Sequence, residues 1–282
     1  MNQDEENLII GLFASHGCEE LGTNIKSIYL RSFSRDPYIL PKKLEVAIDD
    51  EWRQEVDKAR TQGKEPLNNK FIQCLSYEVE IGTSPMSILR FDFSVTDWKH
   101  YNGIKKADPS KIIWGVGTAG ITYFNNKEGE RTYLFATRNL AKVSDIGGRL
   151  ETPPAGFLDV SLFTEQSELY RQNNAIADNL KQEFEEEIGL SRDKIRSMNL
   201  LQVIRIPQTH DISIDYALQI ETSEEELEES LKKSRKYSGE HAGHFFVPEH
   251  ELCNFVLKHQ TAFPPRTKCD LKNFLLKYEQ QQ

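Results

Sequence analysis

Cysteine is scarce in this chain. Its four residues, Cys18, Cys74, Cys253 and Cys269, show no Cys-x-x-Cys spacing, which argues against a disulfide scaffold and a cysteine-bound structural zinc; four reduced, mostly structural thiols are expected. Long apolar runs are missing too: nothing approaches the roughly 20 residues needed to span a bilayer. The opening Met1-Asn2-Gln3-Asp4-Glu5-Glu6 is acidic where a secretory signal is basic, and Leu8 to Ala14 is too short an apolar stretch for export. A cytoplasmic location with no membrane partner is therefore expected. Positive charge is in deficit: 35 Lys and Arg against 44 Asp and Glu give −9. That disfavours nucleic acid as a partner while leaving room for a local basic pocket around one small phosphate ligand. Ser161, Ser167 and Ser213 lack a Gly-x-Ser-x-Gly setting, so serine-hydrolase chemistry has little support.

What is present is the composition of a soluble globular protein, 38% hydrophobic and 28% charged over 282 residues, long enough for two compact units. The first is expected over residues 1–107 as a small α+β domain. It has an amphipathic helix from Leu44 to Gly63, buried through Leu44, Ala47, Trp52, Val56 and Ala59, and strands over Phe71 to Ile81 and Ser87 to Val95. The polar stretch Tyr101 to Ser110 is the expected connection, with Trp98 packing across it. The second unit, 108–282, has expected strands at Ile112 to Tyr123, Arg131 to Ala136, Leu200 to Pro207, Ile212 to Ile220 and His244 to Pro248, and a closing helix from Phe263 to Tyr278. Ser223, with Glu226 at capping-box spacing, opens a helix that reads as a solvated surface element.

The segment Gln182-Glu183-Phe184-Glu185-Glu186-Glu187-Ile188-Gly189-Leu190 carries the chemistry. At about 100° per residue, Glu183, Glu187 and Glu186 lie near −100°, −60° and −160° from Phe184, on one third of a helix, with Glu185 elsewhere. Ile176, Leu180, Phe184 and Ile188 recur every four residues on an adjoining stripe that a core would bury. Three carboxylates on one face repel by roughly 4 kcal/mol per pair at 4 Å and an effective dielectric near 20. Such a patch calls for a cation, and an all-oxygen ligand set favours Mg²⁺ or Mn²⁺ over Zn²⁺.

Together with Gly189-Leu190 and the upstream turn Pro153-Pro154-Ala155-Gly156-Phe157, the segment resembles the Nudix box, Gly-x5-Glu-x7-Arg-Glu-U-x-Glu-Glu-x-Gly-U with U apolar. Glu183, Phe184, Glu186, Glu187, Gly189 and Leu190 match its second half, and Gly156 matches the first glycine. The resemblance covers Ile112 to the C-terminus and implies an α/β/α sandwich that hydrolyses a nucleoside diphosphate linked to another moiety. Two departures stand out. Gly156 lies 26 positions before Gln182, about 12 more than in the pattern, so the first box glutamate has no clear equivalent; Asn174 stands at its position, and Glu165 and Glu168 lie in the insertion. The box arginine is Gln182, which lacks the fixed charge that would orient a neighbouring carboxylate.

Flanking segments look like the Nudix subgroup that cleaves UDP-glucose and UDP-galactose: Thr96-Asp97-Trp98-Lys99-His100-Tyr101, Trp114-Gly115-Val116-Gly117-Thr118, and Gly239-Glu240-His241-Ala242-Gly243-His244-Phe245-Phe246-Val247. The likeness implies an Mg²⁺-dependent pyrophosphatase releasing UMP and a hexose 1-phosphate. By carry-over the metal ligands are Glu183, Glu186 and Glu187 with the Gly156 carbonyl, and Glu183 or Glu187 orients the attacking water. Glu240, on the loop before the last strand, is either the catalytic base or an ordinary exposed glutamate. Arg138, directly after an apolar strand, is expected to contact substrate phosphate through paired donors, the other reading being a surface salt bridge; Arg149 and Arg205 are further candidates. His210, His241 and His244 have no recognisable nucleophile beside them and read as structural. ADP-ribose hydrolysis and a catalytically silent nucleotide-binding or regulatory module are the alternatives.

Overall fold

In the computed structural model of the chain the described residues are 3–13, 17–22, 25–37, 40–61, 68–81, 87–108, 110–139, 149–163, 169–237 and 239–279. In chain order they form α1 (Gln3–Leu12), β1 (Glu19–Glu20), β2 (Ile25–Pro37), α2 (Lys42–Thr61), β3 (Lys70–Ile81), β4 (Ser87–Asp97), α3 (Trp98–Ala107), β5 (Trp114–Asn125), β6 (Arg131–Arg138), β7 (Leu150–Glu151) and β8 (Ala155–Phe157). There follow α4 (Leu169–Glu187), β9 (Ile195–Ile206), β10 (Asp211–Ile220), α5 (Glu224–Tyr237), β11 (His241–Pro248), α6 (Leu252–His259) and α7 (Pro265–Glu279).

The strands belong to one open mixed sheet, ordered β1-β9-β10-β5-β3-β4-β2, from which β6, β7, β8 and β11 branch beside β5. β10 runs parallel to β5 and antiparallel to β9. On its other edge β5 changes partner along its length: β3 at Gly115, β8 at Gly117 to Ala119, β6 from Tyr123 to Asn125. This exchange opens the sheet and seats the Ala155–Phe157 turn beside its central strand.

Helices cover both faces, which is why β5 and β6 read as almost unbroken apolar runs, while β10 alternates apolar Ile212, Ile214, Tyr216 and Leu218 with mostly polar residues, of which Ser213 and Asp215 are buried as well. Alternation assigns the sides. Ile121, Tyr123, Tyr133 and Phe135 enter a core with Phe13, Leu252, Val256 and Phe274 of the α1, α6 and α7 side. Phe124 and Leu134 point oppositely, into a core with Phe184, Ile188, Leu227 and Leu231 of α4 and α5. The result is an α/β/α sandwich, as expected.

Tyr101 to Ser110 differs from the expected polar connection. Most of it is α3, whose N-cap Asp97 accepts the His100 amide at 2.9 Å and whose Tyr101 and Ile104 are buried. Two anchors in a stretch that also holds Asn102, Gly103, Lys105 and Lys106 leave too weak a helical period to read. Trp98 does pack across: Phe71, Trp98, Tyr101 and Phe157 form one aromatic cluster. Among the described residues no helix is long and apolar enough to cross a membrane, and all four cysteines are free.

Candidate active site

α4 presents its glutamates as its stripe predicts. Ile176, Leu180, Phe184 and Ile188 are at most 2% exposed, and burying four such side chains contributes several kcal/mol, on the order of 1.5–3 each. Glu185 points away and pairs with Arg192. The helix stops at Gly189, whose φ of +80° places it in the left-handed region that glycine favours. Its last carbonyls are capped from α5: Ser230 Oγ donates to the Ile188 carbonyl at 2.9 Å, and Ser234 Oγ to those of Glu186 and Glu187 at 2.8 and 2.6 Å. So α5 is only half solvated. Its acidic first turn is outward, while Leu227, Ser230, Leu231 and Ser234 are buried, a stripe that its many charges hide in the sequence.

The turn before α4 is held from β5. Thr122 Oγ1 donates to the Pro153 carbonyl at 2.7 Å and the Gly120 amide to that of Pro154 at 2.9 Å. Gly156 then pairs with Thr118, so close to α4 that a Cβ on it would overlap the Glu183 carboxylate. The insertion between Gly156 and Gln182 therefore leaves the turn and the helix face together. The Ala155 amide donates to Glu187 Oε2 at 3.2 Å. Asn179, one turn before Glu183, ties the Asp159 amide to the Thr118 hydroxyl at 2.8 and 3.0 Å.

Glu183 and Glu187 share this space with Glu151 at the end of β7, Glu240 before β11, and Arg138 at the end of β6. Arg138 is 11% exposed at its side chain. Its Nε contacts Glu151, its Nη1 donates to Glu240 Oε2 at 2.8 Å, and its Nη2 lies 3.9 Å from Glu187 Oε1. His241 Nε2 stands 2.9 Å from Glu151 Oε1 and 3.9 Å from Glu187 Oε2, and Arg266 Nη2 lies 3.8 Å from Glu151 Oε2.

Electrostatics divides these carboxylates. Burial pushes Glu183 up to about 7, reinforced by repulsion from Glu186 and Glu240 and only partly relieved by Arg138. Glu187 is raised well above the usual carboxylate range, again by burial first, with Arg138 opposing and Glu151, Glu240 and Glu183 adding to it. Glu151 is as buried, but the hydrogen bond with His241 and the charges of Arg138 and Arg266 overcome that cost and hold it at about 2. One carboxylate is thus fully compensated and two are short of positive charge.

Of the residues singled out in the sequence, Gly156, Glu183, Glu187, Glu240 and Arg138 come together. Glu186 is exposed at the rim, its Oε1 accepting from Gln182 Nε2 at 2.9 Å. Arg149 is exposed, and its carbonyl accepts the Arg138 amide at 3.0 Å. Arg205 lies apart: it pairs with Glu19 and sits 5.0 Å over the Trp114 ring. His210 is on the turn before β10 and His244 packs on Phe246. Glu165 and Glu168 lie outside the described residues. Glu151 and the role of His241 escape sequence reading; the one local signal is a glutamate in strand-forming Leu150-Glu151-Thr152 directly before Pro153-Pro154.

Among the described residues no three His, Cys, Asp or Glu side chains form a ready-made metal cage; a guanidinium sits among the carboxylates instead. The donors nevertheless suit a hard cation. They are all oxygens, and Glu187 Oε1 is buried without a hydrogen-bond partner, an expensive state for an acceptor unless a cation completes it.

No family model matches the chain, and no curated protein matches it in sequence. Solved structures do resemble it in backbone. The Nudix domain of Shewanella oneidensis NrtR, solved with ADP-ribose, is 8% identical, covering 61% of this chain and 92% of its own with a TM-score of 0.40. A Nudix hydrolase from Alicyclobacillus acidocaldarius is 12% identical over 56% of this chain and 90% of its own, TM-score 0.40. One from Nitrosomonas europaea is 13% identical over 57% and 88%, TM-score 0.38.

Proposed function

We propose that this chain is a divalent-cation-dependent pyrophosphatase acting on a nucleoside diphosphate sugar, UDP-glucose or UDP-galactose, to give UMP and a hexose 1-phosphate. The observation that carries the reading is the half-buried Glu183 and buried Glu187 facing the Gly156 turn, with Glu187 Oε1 accepting no hydrogen bond. Glu183, Glu187 and Glu186 with the Gly156 carbonyl would hold Mg²⁺ or Mn²⁺, which when bound neutralises diphosphate charge and acidifies a water.

The chain's own residues have separable tasks. Asn179 and the Thr122 hydroxyl fix the turn against α4. Glu240, 42% exposed at its side chain, stands at the open edge where it can take a proton from the attacking water. Arg138 supplies the guanidinium that meets the substrate phosphates. The uracil and hexose preference rests on the flanking sequence segments alone.

Incubation with UDP-sugars, ADP-ribose and dinucleotides in Mg²⁺ tests the reading. Released UMP with hexose 1-phosphate is expected; released AMP from ADP-ribose moves the substrate class, and binding without product makes the chain a silent nucleotide-binding module. Glu187→Gln is expected to lower turnover by about 10²-fold or more. Parent-like turnover in that variant overturns the metal-site assignment.

A further inference from the structure

Arg138 is placed where the proposed cation would act. Its guanidinium touches Glu151, donates to Glu240 at 2.8 Å and lies 3.9 Å from Glu187 Oε1, which accepts no hydrogen bond. Its three carboxylate partners come from β7, the loop before β11 and the C-terminal end of α4. A guanidinium cannot be deprotonated under these conditions, so it repels any second cation drawn to the same oxygens.

Resting on the functional reading above, we infer that Arg138 is the site's resident cation and that it yields Glu187 and Glu240 when a divalent cation enters. Its contacts are unequal, which sets the direction of the exchange. Glu151 is buried, held as well by His241 at 2.9 Å and approached by Arg266 at 3.8 Å, and it anchors the Nε edge. Glu240 is the most exposed partner, and Glu187 is the most distant. The Nη edge is therefore the part that lets go. Once released it remains tethered through Glu151 beside the entering cation, where an anionic diphosphate oxygen replaces the carboxylates it has lost. Arg138 thereby weakens cation binding in the empty protein and favours it when a diphosphate is present. It is a positioning residue for the cation and a contact for the phosphates in turn.

The test is Mn²⁺ binding to the full chain by calorimetry or paramagnetic resonance, without nucleotide, for the parent, Arg138→Gln and Arg138→Lys, with circular dichroism to follow folding. Removing the competing charge is expected to tighten Mn²⁺ binding in Arg138→Gln by about tenfold or more, with Arg138→Lys, which keeps a charge but not the fork, in between. Methylenediphosphonate is expected to tighten Mn²⁺ binding to the parent more than to Arg138→Gln. A merely structural Arg138 leaves the affinity equal or weaker in both variants, and that result overturns the inference; if Arg138→Gln unfolds, Arg138→Lys decides by the same criterion. If Arg138→Gln binds Mn²⁺ no tighter while Glu187-dependent hydrolysis persists, the inference alone fails. If no form binds Mn²⁺ and no nucleotide sugar is cleaved, the functional reading fails with it.

Discussion

The Glu183 carboxylate lies against the Cα of Gly156, leaving no room for a Cβ between turn and helix. The contact joins two segments separated by the insertion, and it is the physical reason for a glycine at this position, whose φ is unexceptional. Gly156→Ala is expected to force Glu183 aside, costing about 1–3 kcal/mol of stability and weakening Mn²⁺ binding. Gly243→Ala is the control, since a Cβ there meets open space, and should stay within about 0.5 kcal/mol of the parent. Equal melting temperatures and equal Mn²⁺ affinity for the two variants would reject the cradle.

Glu183 offers a test by pH. Burial raises it to about 7, so the folded chain holds a proton there that the unfolded chain releases near 4.5. Its contribution to stability is fully present below that unfolded value and is lost as pH rises through about 7. In EDTA, Glu183→Gln should therefore melt like the parent at pH 4 and exceed it above pH 7, by on the order of 3 kcal/mol. Adding Mg²⁺ at pH 8 should reverse the order, because the cation stabilises only the carboxylate. Melting curves that stay parallel from pH 4 to 8 would contradict the assignment.

Much of the fold was legible where one element supplies its own evidence. The stripe Ile176, Leu180, Phe184, Ile188 needed only helical periodicity, β5 and β6 only their apolar runs, and β10 only its alternation. β2 was less so: its apolar residues are interrupted by serines and by Arg31, which is engaged with Asp92 and Glu78 on neighbouring strands. The candidate site divides in the same way. Glu183, Glu187 and Gly156 stand in one motif and were readable from it. Glu151 and His241 are not, because each gains its meaning from the other, 90 residues away, through the pairing of β6 with both β7 and β11. Arg138 could be picked out from its place after a strand, but the carboxylates that hold it come from that same long-range pairing.

Glu240 separates base catalysis from cation binding. It stands at the edge of the cluster with Arg138 Nη1 at 2.8 Å, while its backbone carbonyl is fixed by the Asn139 amide at 2.7 Å. Substitution of the side chain should leave this backbone anchor in place. Glu240→Gln is expected to lower kcat by about 10²- to 10⁴-fold with Mn²⁺ affinity within a few-fold of the parent. Unchanged turnover rejects the base role; turnover and Mn²⁺ affinity falling together makes Glu240 a ligand instead.

Glu151 gives the opposite pH signature from Glu183, and so tests the electrostatic division of the site. Its carboxyl is held at about 2 against its burial by His241, Arg138 and Arg266, so the unfolded chain takes up a proton before the folded chain does. The stabilisation, on the order of 3 kcal/mol, is present above the unfolded value near 4.5 and is lost as pH falls through about 2. Glu151→Gln removes it and leaves two partly buried arginines short of countercharge, an omission that costs up to about 3–5 kcal/mol. The variant should therefore unfold at markedly lower temperature than the parent at pH 7, with the gap constant down to about pH 5 and closing between pH 4 and pH 2. A gap that closes between pH 7 and 5 would place the stabilising charge on another group, and no gap at all would mean that Arg138 and Arg266 find their countercharge elsewhere.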